Sequence, residues 1–87
     1  MNFKENDIVQ FTEEAIAENC RLFGKEALLR KERGKRYKVT KVEEDKHNKI
    51  DVVFVTDING DPIPKFEAGI FAGHLKILKP SFTIISL

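Results

Sequence analysis

Apolar and polar positions change period several times along this chain, and each change marks an element. Ile8, Val9 and Phe11 follow the turn signal Asn6-Asp7 and predict a short strand. Thr12 then offers an N-cap hydroxyl, with Glu13 and Glu14 at the positive end of a first helical turn. Ile16, Cys20 and Phe23 recur at helical spacing and Gly24 closes the pattern. This predicts a helix over residues 13–23, with Cys20 a small buried hydrophobe on its apolar stripe. Residues 25–33 place Ala27, Leu28 and Leu29 among charged helix formers. A further helical turn and a long loop both fit that segment, and Gly34 ends it.

Residues 36–42 alternate, with Tyr37 and Val39 on one face and Arg36, Lys38 and Thr40 on the other. The alternation slips at Lys41 and Val42, which predicts a bulge or bend there. Residues 43–49, EEDKHNK, read as a polar hairpin loop, and residues 50–56, IDVVFVT, carry the strongest strand signal. Asn59-Gly60 marks a turn that Asp61-Pro62 lengthens, and Pro62 and Pro64 argue against a central strand next. Phe66, Ile70 and Phe71 around Gly69 and Gly73 suit a short 3₁₀ or helical turn that packs aromatics inward. Residues 74–78, HLKIL, predict a last strand ended by Pro80, with Leu75, Ile77 and Leu78 available for burial. Residues 81–87, SFTIISL, carry no charge and suit either an extra edge strand or a segment that self-associates or meets a partner. The expected organisation is one domain over residues 1–79 and an apolar tail over 80–87.

At 87 residues, 41% hydrophobic and 33% charged, the chain reads as a soluble globular domain with a modest core. No stretch approaches the ~20 apolar residues of a membrane span. The opening MNFKENDIV lacks the basic-then-apolar pattern of a secretory signal. A single cysteine forms no internal disulfide, so a reducing, cytoplasmic setting is expected.

The order of segments DIVQF (7–11), GKRYKVTKV (34–42), IDVVFV (50–55) and FEAGIFAGHLKIL (66–78) resembles the SH3-like small-barrel group. The resemblance implies a mainly β, α+β fold: a small, partly open five-stranded barrel with a one-turn helix before the last strand. The helix over 13–23 would then be an insertion in place of the usual loop after the first strand. The glycine-centred KOW motif of ribosomal and elongation-factor barrels is not recognisable. Tyr37, Phe54 and Phe66 are too scattered for a methyl-lysine cage. Small barrels of this sort also resemble proteins of phages and mobile elements.

Charge adds a candidate site. Residues 1–24 hold two basic and five acidic side chains, net −3; residues 25–41 hold eight and two, net +6; residues 42–87 hold five and seven, net −2. Such concentration steers an oppositely charged partner. The candidate binding residues are Arg30, Lys31, Arg33, Lys35, Arg36, Tyr37, Lys38 and Lys41, which would track phosphates with Tyr37 stacking on a base, or meet an acidic protein surface. They equally suit a solvated face, and the shared parity of Tyr37 and Val39 favours Tyr37 in the core. Glu5, Asp7, Glu13, Glu14 and Glu18 form an acidic cluster, and Glu43, Glu44 and Asp45 a second. Both read first as helix-dipole complement and loop solubility.

Cys20, His47 and His74 lack metal-ligand spacing, and Asp57, Asn59 and Asp61 read as a turn, since Ala68 stands where a calcium loop needs its glutamate. No nucleophile–base pair and no phosphate loop is recognisable. The sequence thus points to a non-catalytic binding module without a cofactor. The first expected partner is a protein with an acidic surface. Nucleic acid bound through residues 30–41 is the alternative, no membrane is expected, and residues 80–87 would serve a homodimer.

Overall fold

The longest ladder of the sheet joins β2 (Tyr37–Asp45) to β3 (Ile50–Asp57) in the computed structural model, which describes residues 3–47 and 49–78. The β-branched run of β3 supplies the stiff, half-buried surface on which such a ladder forms. The short β1 (Ile8–Phe11) pairs antiparallel with the start of β2, and on its other side with β5 (Leu75–Ile77). The two-residue β4 (Ile70–Phe71) pairs with β3. The order is β4-β3-β2-β1-β5, antiparallel throughout, and a 3₁₀ turn at Ala72–His74 links the two edge strands. The sheet is not closed by hydrogen bonds, so the architecture is a compact α+β fold built on a small, partly open barrel.

One helix, α1 (Glu13–Phe23), stands between β1 and β2, as the sequence predicts. Its start is set locally: the Thr12 Oγ1 accepts from the Ala15 N–H at 3.0 Å, and Glu13 and Glu14 occupy the first turn. Gly24 stops it at φ 59°, a conformation that suits a residue without Cβ, and donates its N–H to the Cys20 carbonyl. Residues 25–33, open between a further helical turn and a long loop in the sequence, begin with a short helical turn of the 3₁₀ kind and continue as turns. A 3₁₀ turn at Gly24–Glu26 leads into a run of turns that buries Ala27, Leu29 and Glu32.

The core unites both sides of the sheet's inner surface: Val9 and Phe11 of β1, Tyr37 and Val39 of β2, Val53 and Val55 of β3, Ile70 of β4 and Leu75 of β5, with Ile16 of α1. Phe11, Tyr37 and Phe66 meet with ring centroids 5.3–5.8 Å apart, tilted or edge to face. Each such pair adds about 0.5–1.5 kcal/mol beyond its buried area.

Several boundaries differ from the sequence reading. Val39 faces Val55 and Lys41 faces Phe54, so the extra residue of the bulge is Thr40, not Lys41 or Val42. The changed parity becomes visible only afterwards, where Val42 turns toward the core. Residues 43–49 are not all loop: Glu43, Glu44 and Asp45 continue the ladder opposite Val52, Asp51 and Ile50. Cross-strand pairing with an apolar strand overrides their low strand propensity. The last strand is shorter than expected because His74 belongs to the preceding 3₁₀ turn. Cys20 is half-buried against the core and Phe23 is exposed, because α1 leaves the core after its second turn. The apolar tail over 80–87 lies outside the described residues.

Candidate binding groove

The basic residues singled out in the sequence divide into some that pair with acids and some that do not. Tyr37 is 3% exposed, and its hydroxyl donates to the Glu32 carboxylate, so its ring is core and not a stacking platform. Arg33 pairs with Glu13 at 2.8 Å, and Lys35 lies 3.7 Å from Glu32. Lys41 pairs with Glu43 at 2.6 Å and stands 5.5 Å from the centre of the Phe54 ring. Arg30, Lys31, Arg36 and Lys38 form no ion pair among the described residues; the first two lie on the turns after Leu29, the others at the start of β2. Folding therefore joins part of the acidic pole to part of the basic one. The concentration along the chain does not become an equal concentration in space.

Glu32 is the feature that sequence reasoning missed. An acid inside a basic run reads as solvated, yet Glu32 is 1% exposed, the one buried charged side chain among the described residues. It accepts from the Tyr37 hydroxyl and from the Lys65 ammonium, with Lys35 close by. Burial raises its pKa, but the hydrogen bonds from Lys65 and Tyr37 and the charges of Lys65 and Lys35 outweigh that, and the net shift is below the ordinary 4.5. Burial, and then the bond and charge of Glu32, push the Tyr37 hydroxyl far above its ordinary 10.0. One carboxylate thus ties the turns after α1 to β2 and to the 3₁₀ turn Pro64–Phe66.

The turns after α1 and the 3₁₀ turn Pro64–Phe66 both contribute side chains to an apolar groove of about 550 Å³. Leu22 and Phe23 of α1 and Leu28 of the following turns form one side, and Gly69, Ile70 and Phe71 the other; Phe11 and Phe66 lie at its base. Six large hydrophobic side chains are exposed among the described residues, and four of them meet here: Leu22 at 58%, Phe23 at 59%, Leu28 at 49% and Phe71 at 53%. A hollow of this size and lining is a candidate ligand or partner site. Gly69 makes the β4 wall possible. At φ +93° it lies so close to β3 that a Cβ would run into Val52 and stand 3.2 Å from the Phe54 ring. Phe71 stacks edge-on with His74 at 5.6 Å, and a second hollow bordered by Lys49, Asp51 and Gly73 opens on the far side of that pair. The sequence did carry one signal for this site: apolar positions at the end of α1 outrun the stripe that the core covers.

The described residues contain no group of three or more His, Cys, Asp or Glu placed to hold a metal ion, and no helix among them is long and apolar enough to cross a membrane. The chain matches no known protein family, no curated protein and no solved structure.

Proposed function

We propose that this protein is a non-catalytic binding module that holds another polypeptide in the groove between α1 and β4. The observation that carries this reading is the convergence of Leu22, Phe23, Leu28 and Phe71 on one hollow. Exposed apolar surface is costly in water, and aromatic side chains, Phe among them, are enriched at the core of protein interfaces. The pairing of Arg33, Lys35 and Lys41 with acids and the burial of Tyr37 support protein over nucleic acid as the partner class, since phosphate binding draws on unpaired cations. The resemblance to SH3-like barrels agrees with a binding role.

The test is selection from a random dodecapeptide phage library against the immobilised chain. The double variant Leu22→Asp/Phe71→Asp serves as the control, and circular dichroism establishes that it keeps its fold. Enriched peptides that bind the wild type at micromolar concentration and lose at least about tenfold on the variant support the reading. No enrichment, or enrichment indifferent to the variant, overturns it.

A further inference from the structure

Resting on that protein-binding reading, we infer that the occupant is an extended segment that pairs as a sixth strand on the free edge of β4, apolar at its centre and acidic where it passes Arg30 and Lys31. Among the described residues β4 is an edge strand, bonded to β3 alone. In a two-residue antiparallel ladder one residue directs both its N–H and its C=O to the neighbour, and the other directs both outward. Ile70 and Phe71 both line the groove, so a strand added on this edge would run along it. A strand added about 4.8 Å from β4 would place its side chains on two faces. One face continues the row of the register partners Val52 and Phe71, and the other continues the row of Val53 and Ile70. Leu22 and Phe23 would close over the added chain from α1. Strand addition of this kind draws affinity from backbone hydrogen bonds and specificity from alternate side chains.

Charge fixes the flank. Glu18 is held by Arg21, and Glu32 is buried under Lys65. Lys25, Glu26, Arg30 and Lys31, around Leu28, leave a net charge of +2 on that stretch with no ion pair to described residues. Glu67, next in sequence to the groove residue Ala68, carries the opposite charge, so the partner's acids belong on the side of the turns.

The experiment uses the tightest groove-dependent peptide from the selection, synthesised with one backbone N-methyl group at a time. Strand addition predicts loss of about tenfold or more at the one central position whose N–H meets the outward β4 carbonyl, and under about threefold at the other positions. Arg30→Glu/Lys31→Glu should weaken an acid-flanked peptide about tenfold and strengthen its lysine-flanked analogue. Tolerance of N-methylation everywhere, or losses spaced three and four apart, would overturn the inference while leaving the groove a protein site. Competition by a synthetic peptide of residues 80–87, or sedimentation of the chain as a dimer that Leu22→Asp/Phe71→Asp dissolves, would overturn it in favour of the chain's own copies. Absence of any groove-dependent peptide is instead a failure of the protein-binding reading itself.

Discussion

At the scale of single residues, Glu32 decides more than its neighbours. Tyr37→Phe leaves the buried carboxylate short of a donor, and loss of a hydrogen bond to a charged group costs about 1.5–3 kcal/mol, measurable by urea denaturation at neutral pH. The pH dependence follows from the direction of each shift. Glu32 has its folded pKa below the ordinary 4.5, so its contribution is present above that value and is lost as pH falls through the folded pKa. Glu32→Gln should therefore be less stable at neutral pH and show a shallower loss on acidification than the wild type. Tyr37 is shifted up, so its contribution is present below the ordinary 10.0 and is lost as pH rises above it. Tyr37→Phe should flatten that alkaline limb. The core position of Tyr37 was legible from its parity with Val39. The burial of Glu32 was not, because it depends on Lys65, 33 residues further along the chain.

Elements divide into those written locally and those written across strands. The helix bounds matched because Thr12, Glu13, Glu14 and Gly24 act within one or two turns of themselves. Thr12→Ala should cost about 1 kcal/mol and Thr12→Ser much less, by thermal or chemical denaturation. The bulge and the length of the β2–β3 hairpin were misplaced because they depend on which residues face each other, and no single strand contains that information. Gly69 is the element-level residue of the β4 wall. Gly69→Ala combines a positive φ with a collision against Val52, so it should cost about 2 kcal/mol or more and lower Tm by roughly 10 °C.

For the whole molecule, the charge pattern in the sequence was a poor guide to the surface. Arg33, Lys35 and Lys41 find acids once the chain folds, and Tyr37 turns inward. A single-stranded DNA oligonucleotide should accordingly bind more weakly than about 1 μM at ~0.15 M salt, in the non-specific range, when titrated by fluorescence anisotropy. Beyond the surplus apolar positions at the end of α1, the groove was hidden for a related reason: Leu22 and Phe71 stand 49 residues apart and are brought to it by the fold. That same order has a consequence for how the chain is made. The β2–β3 hairpin spans residues 37–57 and can form as soon as they emerge, but Val9 of β1 pairs with Ile77 of β5. At ~5–20 residues per second, β1 waits roughly 3–13 s on the ribosome for its second neighbour. Among the described strands the first in the chain is completed by the one furthest along it, and until then its apolar side chains are within reach of chaperones and of other nascent chains.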